Sequence, residues 1–208
     1  PYAAVGTGSR ERWEALGRLQ FDYLLGHGLK PSDRFLEIGC GNLRAGRLVI
    51  DYLDAGRYYG IDISPDILFA AQDTLTRYKL QEKLPHLTPV PNLRLEFLPE
   101  GFFDVIHAHS VFSHSPVDVI DECLANIGRV LAPDGFFDFT FNKTDGAEHH
   151  VLREDFYYRT DTLVTLAEKH GLAARFMDDW ERDNRHKQSK LRITHAARGT
   201  PENAALSP

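Results

Sequence analysis

Hydrophobic and polar residues follow two periodicities that alternate along the chain. Apolar runs at residues 34–38, 58–63, 93–97, 103–110, 136–141, 172–177 and 191–195 predict seven short strands. Between most of them, apolar residues recur three or four positions apart, as in Ile120, Leu124, Ile127 and Leu131, and predict helices. This alternation indicates an α/β fold, a mostly parallel sheet with helices on both faces. The last two runs have no helical pattern between them, so the last strand is expected to run antiparallel.

Three capping signals mark where helices are expected to begin. Ser9 precedes a helical pattern over residues 10–25, and Ser64-Pro65 and Ser115-Pro116 each combine a capping residue with a proline suited to the first turn. We therefore expect an N-terminal helix within residues 1–30, the main α/β domain at residues 31–198, and a flexible tail at residues 199–208.

Composition and charge narrow the partners. The 208 residues suit one domain, and 24 Lys and Arg against 30 Asp and Glu give a formal net charge of −6 without a dense basic block, so nucleic acid is disfavoured. No segment approaches the apolar length of a membrane span, and the N-terminus lacks the order of a signal peptide, so a cytoplasmic protein is expected. The two cysteines form no metal-spaced pair, and we predict no metal ion.

Candidate ligand-binding residues lie at the ends of the first two predicted strands. Gly39-Cys40-Gly41 follows the first, Glu37 lies within it, and Asp62 ends the second, 21 residues after Gly41. Glycines let a backbone turn sharply against a ligand, and an acid in this place can accept hydrogen bonds from ribose hydroxyls. A dinucleotide fingerprint would need glycine where this chain has Arg44. An NAD(P)-dependent reductase is therefore disfavoured; it and a non-catalytic nucleotide-binding module remain the alternatives.

Four segments in this order resemble motifs of the class I S-adenosylmethionine (SAM)-dependent methyltransferases. They are residues 36–41 (Leu-Glu-Ile-Gly-Cys-Gly), 60–64 (Gly-Ile-Asp-Ile-Ser), 103–108 (Phe-Asp-Val-Ile-His-Ala) and 130–135 (Val-Leu-Ala-Pro-Asp-Gly). The resemblance covers residues 31–196, including the reversed last strand. It implies a Rossmann-like seven-stranded sheet and SAM as cofactor, with S-adenosylhomocysteine as product.

The resemblance also assigns the cofactor contacts. It implies that the glycine loop contacts the methionine half of SAM, that Asp62 binds the ribose, and that residues 108–110 lie along the cofactor. Glu96 and Phe97 are candidates for the adenine contact, because that contact usually follows the third strand. The predicted cofactor-binding residues are Glu37, Gly39, Cys40, Gly41, Asn42, Asp62, Ile63, Glu96, Phe97, Ala108, His109 and Ser110.

Histidines are the candidates for catalysis. Residues 107–110 read His-Ala-His-Ser, where nucleobase amino-methyltransferases usually carry Asn/Asp-Pro-Pro-aromatic, and a Pro-Cys nucleophile is missing. A small polar acceptor is favoured, most simply a hydroxyl; nitrogen acceptors, peptides and RNA are the alternatives. A hydroxyl must lose its proton on methylation, and a neutral imidazole near pH 7 is a suitable base. The predicted catalytic residues are His109, His114, His149 and His150.

The N-terminal helix is predicted to act as a lid that excludes water from the cofactor site. With the loop at residues 41–46, it is similar to small bacterial methyltransferases of secondary metabolism and carbohydrate pathways, and more distantly to the sugar O-methyltransferases of methylmannose polysaccharide synthesis. A small-molecule acceptor, such as a sugar, is the expected partner. The predicted substrate-binding residues are Trp13, Gln20, Asn142 and Glu148.

Overall fold

The computed structural model describes residues 8–182 and 187–196, so the predicted flexible tail lies outside the described residues. The helices are α1 (Arg10–Gly26), α2 (Gly46–Tyr52), α3 (Pro65–Tyr78), α4 (Val117–Val130), α5 (Thr160–Lys169) and α6 (Asp178–Arg182), with a short 3-10 turn at Gln81–Lys83. The strands are β1 (Phe35–Ile38), β2 (Tyr58–Asp62), β3 (His86–Pro89), β4 (Phe103–Ala108), β5 (Leu131–Lys143), β6 (His149–Val151), β7 (Asp155–Tyr158), β8 (Leu172–Phe176) and β9 (Ser189–His195).

The sheet has the order β3-β2-β1-β4-β5-β9-β8, and β6 and β7 extend it beyond the end of β5. Strands β1 to β5 pair in parallel, whereas β9 is antiparallel to both β5 and β8. The predicted Rossmann-like sheet with a reversed last strand is therefore confirmed. Strand β7 pairs in parallel with Asn142 and Lys143 and antiparallel with β6, which adds a small hairpin where only a polar stretch was predicted.

The third predicted strand is wrong. Residues 93–97 form a loop in which Leu95 has a φ of 57°, and the third strand is β3, which pairs with β2. Leu93 and Leu95 are buried while the residues between and after them are exposed, so this loop imitates the alternation of a strand.

Two of the three predicted caps are confirmed, and the third is wrong. The Ser9 hydroxyl accepts a hydrogen bond from the backbone N–H of Arg12 (3.2 Å), and Ser64 caps α3 in the same way. Ser115 instead donates to the carbonyl of Val111 (2.9 Å), and α4 begins after Pro116. The short helix α6 lies between β8 and β9, where none was predicted, yet the two strands pair antiparallel as expected.

Helices cover both faces of the sheet. One hydrophobic cluster includes Ile106 and Phe139 with residues of α4 and α5, and a second includes Phe35 and Val105 with residues of α1, α2 and α3. None of the helices in residues 8–182 and 187–196 combines the length and apolar character needed to cross a membrane. The carboxyl ends of the parallel strands therefore open between these two helical layers, where ligands bind in such sheets.

Candidate functional site

The loop after β1 requires glycine at two positions. Gly39 and Gly41 have φ values of 66° and 53°, in the left-handed region that side chains disfavour. A Cβ atom at Gly39 would also lie 2.4 Å from Cγ2 of Val111. The loop therefore exposes backbone, without side chains at these two positions, at the carboxyl end of β1.

Asp62 joins this loop to the start of α3. Its Oδ2 accepts a hydrogen bond from the N–H of Gly41 (2.9 Å) and its Oδ1 from the N–H of Ser64 (3.0 Å). A carboxylate has about four acceptor positions, so positions remain on this partly exposed side chain for two hydroxyl donors. The next residue, Ile63, is 72% exposed and offers an apolar surface. This arrangement of acceptors and apolar surface fits a nucleoside, whose ribose hydroxyls would donate to Asp62 while a flat apolar group lies near Ile63.

Glu37 lies beneath the loop. It is buried and accepts a hydrogen bond from the hydroxyl of Tyr58, and a Cβ atom at Gly46 would lie 2.7 Å from its Oε2. Burial raises the pKa of Glu37 to about 7, although the Tyr58 hydrogen bond and the charge of Arg44 oppose the shift. Its contact with the cofactor stays a prediction.

Helix α1 packs directly on the loop, as a lid would. The indole Nε1 of Trp13 donates to Oδ1 of Asn42 (3.1 Å), and both side chains are buried. A Cβ atom at Gly17 would lie 2.3 Å from the carbonyl oxygen of Arg44, so the two backbones are in close contact. Cys40 is buried in the same loop, packed towards Gly60. Whether α1 opens and closes stays a prediction.

Glu96 and Phe97 lie in the loop that follows the third strand. Strand β3 ends at Pro89, and both residues are exposed further along this loop. Their contact with adenine stays a prediction. Asn92 is the polar residue closer to the end of β3, and its Oδ1 accepts a hydrogen bond from the N–H of Arg94 (3.1 Å).

Successive side chains at the end of β4 lie on opposite faces of the sheet. Ala108 packs in the cluster with α4. His107 and His109 lie on the other face with their rings stacked, 6.1 Å between centroids. His107 Nε2 is 3.4 Å from Oε1 of Gln20, and burial lowers its pKa well below 6.5, as do the charges of Lys190 and Arg44. His107 is therefore neutral at physiological pH.

His109 and Ser110 end the segment predicted to lie along the cofactor. His109 is 7% exposed, and its ring lies 5.8 Å from that of Trp180 in α6. The N–H of Ser110 donates to Oγ1 of Thr140 (2.9 Å), and its hydroxyl donates to Oε1 of Gln188 (3.1 Å). Strands β4 and β5 and the residue before β9 thus hold this segment in place.

The other three candidate histidines lie around strand β7. His114 Nδ1 is 2.9 Å from the carbonyl oxygen of Glu154 and 3.2 Å from Oδ1 of Asp155. The ring of His149 stacks on Tyr157 at 4.6 Å, and that of His150 lies 5.7 Å from Phe156. The structure therefore divides the predicted catalytic residues into two groups, with His109 beside α6 and the others at the hairpin.

The remaining predicted substrate residues lie near a cavity at the same edge of the sheet. Asn142 donates to the carbonyl of Phe156 (3.2 Å) and holds the hairpin, and Oε1 of Glu148 accepts from the N–H of Arg159 (2.9 Å). The cavity has a volume of about 440 Å³ and is lined by Lys143, Thr144, Asp145, Arg159, Thr160, Asp161, Phe176 and Asp178. In the part of the chain that the structure describes, no group of three or more His, Cys, Asp or Glu side chains could hold a metal ion.

Comparison with known proteins favours methyl transfer over an NAD(P)-dependent reductase. The profile of a family described as a methyltransferase domain matches residues 36–137, from β1 through the glycine loop and Asp62 to β5. The chain carries a class I SAM-dependent methyltransferase domain. S-adenosylmethionine is the cofactor of this methyltransferase domain, and the open acceptor positions on Asp62 suit its ribose.

Curated relatives of the methyltransferase domain are distant. The chain is 24% identical over 163 residues to an uncharacterized protein from Haemophilus influenzae, covering 78% of this chain and 64% of that protein. It is 28% identical over 143 residues to the probable methyltransferase ltbC from Aspergillus luteorubrus, covering 66% and 47%. The chain thus spans less than two thirds of the length of these relatives.

Solved structures share the methyltransferase fold. A SAM-dependent methyltransferase from Clostridium acetobutylicum aligns with a TM-score of 0.66 at 12% identity, over 86% of this chain and 90% of that one. Magnesium protoporphyrin IX methyltransferase from Synechocystis with bound SAM gives 0.63 at 14%, over 87% and 81%. Phosphoethanolamine N-methyltransferase 2 from Haemonchus contortus gives 0.65 at 14%, over 85% and 52%. These neighbours differ in acceptor, so the fold leaves the acceptor open.

Proposed function

We propose that the protein transfers a methyl group to a hydroxyl of a small, polyhydroxylated acceptor such as a sugar. The observation that carries the methyl-transfer proposal is the Asp62 carboxylate, which bridges the glycine loop and α3 and keeps acceptor positions for two hydroxyls. Bound SAM supplies a methyl group activated by its sulfonium charge. Asp62 and Ile63 would hold the nucleoside, and the loop backbone around Gly39 and Gly41 the amino-acid end.

His109 is our candidate for the base that takes the hydroxyl proton. It stands at the carboxyl end of β4, adjacent to Ser110, in the segment proposed to lie along the cofactor. Its low exposure limits competition from water. His114, His149 and His150 form the second group of candidates, and they would serve if the acceptor enters beside the hairpin of β6 and β7.

The polar cavity supports a polyhydroxylated acceptor. Its lining alternates donors and acceptors: Lys143 Nζ lies 3.5 Å from Oδ1 of Asp145, and Arg159 forms two hydrogen bonds with Asp161. Because both cations are already paired, a phosphate would gain little, while hydroxyls can both donate and accept. Phe176 adds one apolar ring, too little for a large aromatic acceptor.

Ligand-dependent unfolding tests the cofactor site. We would measure thermal unfolding with S-adenosylhomocysteine or NADH for the wild type, Asp62→Ala and the matched control Asp66→Ala, which changes an exposed acid in the first turn of α3. A ligand at about 100 times its Kd adds about 2.7 kcal/mol. We expect this shift with S-adenosylhomocysteine for the wild type and the control, and its loss in Asp62→Ala. Stabilisation by NADH alone would refute the proposal.

Product analysis tests the acceptor and the base. Labelled SAM would be incubated with panels of sugars, amines, peptides and RNA, and the methylated atom identified by mass spectrometry. Methylated sugars would support the proposal, and products methylated on nitrogen would contradict the hydroxyl assignment. With an acceptor in hand, single alanine variants of the four candidate histidines follow, and we expect His109→Ala to lose about 100-fold or more in turnover. Full turnover in all four would refute a histidine base.

A further inference from the structure

Arg44 occupies the cofactor loop at the place where helix α1 touches it. The residue lies between Asn42, which is bonded to Trp13 of α1, and the first residue of α2. A Cβ atom at Gly17 of α1 would lie 2.3 Å from the carbonyl oxygen of Arg44 and 3.5 Å from its Cγ. The base of the Arg44 side chain is therefore enclosed between α1 and the loop.

The charge of Arg44 has no dedicated partner. Its Nε is buried without a hydrogen-bond partner, and no ion pair within residues 8–182 and 187–196 includes Arg44. Burial lowers its pKa, and among the nearby charges Glu37 opposes this shift whereas Arg12 adds to it. Arg44 as a whole is half-buried, so part of its guanidinium loses contact with water without gaining a carboxylate or phosphate partner, and such groups usually pair with an anion.

The surroundings of Arg44 favour an incoming carboxylate. The charges that act on Arg44 are those of Glu37 and Arg12, and Glu37 is already hydrogen-bonded to the Tyr58 hydroxyl. Asp62, the other acid that acts on Glu37, is hydrogen-bonded to the backbone N–H groups of Gly41 and Ser64. Neither acid forms an ion pair with Arg44 in the part of the chain that the structure describes. The amino-acid end of SAM, which the glycine loop is proposed to hold, brings one carboxylate.

We propose that the guanidinium of Arg44 pairs with the α-carboxylate at the amino-acid end of the cofactor. The proposal rests on the proposed function, because it takes SAM as the ligand of this loop. Arginine binds carboxylates through two parallel hydrogen bonds, which adds direction to the charge attraction. Arg44, which stands where a dinucleotide-binding loop has its third glycine, would thus bind the amino-acid end of the cofactor.

Calorimetric titration with two ligands tests Arg44. S-adenosylhomocysteine carries the carboxylate, and 5′-methylthioadenosine has the same nucleoside and sulfur without the amino-acid part. The variants are Arg44→Met, Arg44→Lys and the control Arg18→Met, which removes a charge from the exposed face of α1. We expect Arg44→Met to lower the affinity for S-adenosylhomocysteine about 10- to 100-fold and that for 5′-methylthioadenosine by less than about twofold, with partial recovery in Arg44→Lys.

The outcomes separate this proposal from the proposed function. Equal losses for both ligands in Arg44→Met would mean that Arg44 only supports the loop, and unchanged affinity for S-adenosylhomocysteine would exclude the ion pair; either result overturns the inference. A wild type that binds neither ligand would refute the SAM site itself. Thermal unfolding of each variant without ligand identifies any that fails to fold, and Arg44→Lys then provides the comparison.

Discussion

Replacing Lys190 by methionine should stabilise the protein at neutral pH. Lys190 lies on β9 and is fully buried, and its Nζ has no hydrogen-bond partner. The ammonium packs 4.1 Å from the ring centroid of Trp180 and 4.5 Å from that of Tyr23. The groups that act on it are Asp138, Arg192 and Asp179. The fold thus holds a charge where methionine, of similar length, would be better tolerated.

The magnitude follows from the pKa of Lys190. Burial lowers it from 10.5 to about 8, although the charge of Asp138 opposes the shift. Between these values the unfolded chain keeps the proton that the folded chain has released, so stability rises as pH rises through that window. The difference between the two pKa values corresponds to about 3 kcal/mol of folding stability. This cost of burying the charged lysine is fully present below pH 8. Cation–π attraction returns about 1–2 kcal/mol, so Lys190→Met should gain about 1–3 kcal/mol at pH 7.

Urea unfolding of the wild type, Lys190→Met and the control Lys30→Met between pH 7 and pH 10 measures this effect. Buried Tyr58, Cys40 and Cys123 have raised pKa values, so their titration in the unfolded chain lowers stability at high pH in all three proteins alike. The difference between wild type and Lys190→Met isolates the lysine. We expect the advantage of the variant to shrink from pH 8 upwards, and Lys30→Met, at an exposed site, to follow the wild type. A less stable Lys190→Met with the pH dependence of the wild type would refute the reasoning.

Three further substitutions test the interior of the sheet. Burial raises the pKa of Glu37 from 4.5 to about 7, so the stability of the wild type falls as pH rises between these values. In urea unfolding at pH 8, Glu37→Gln should therefore be more stable than the wild type by up to about 3 kcal/mol. This gain should vanish below pH 4.5. Gly46→Ala places a Cβ atom 2.7 Å from Oε2 of Glu37 and should lower the Tm, whereas Gly26→Ala, with open space around it, should not. Arg192 binds both carboxylate oxygens of Asp138 at 2.7 Å, and Asp138→Asn removes that charge. The substitution should lower the free energy of unfolding in urea by about 3–5 kcal/mol. A loss below about 1 kcal/mol would contradict a buried ion pair.

Six of the seven predicted strands are present, and they include every interior strand of the seven-stranded sheet. Strands β1 and β4 are almost entirely buried and mostly apolar because both of their faces are covered. Strand β3 lies at the edge and is only partly buried, so its residues carry a weak pattern. The loop containing Leu93 and Leu95 carries a stronger one, because those side chains fill the core without pairing.

The candidate site divides in the same way. The glycine loop and Asp62 could be predicted because they follow directly from the ends of two interior strands. The grouping of the histidines could not be predicted from sequence. It depends on the pairing of β7 with β5, which places His149 and His150 on a hairpin, and on the packing of α6 against His109.

The sequence by itself determined the alternation of interior strands and helices, the reversed last strand and the residues at the carboxyl ends of β1 and β2, because these depend on local periodicity and on short turns. Only the tertiary structure decided the electrostatics of the interior. Arg44, Glu37 and Lys190 are ordinary charged residues in the sequence. Their burial follows from contacts with α1, α6 and neighbouring strands, which the local pattern of the sequence does not reveal. Removal from water, which is the sum of those tertiary contacts, sets the protonation and pairing of each group.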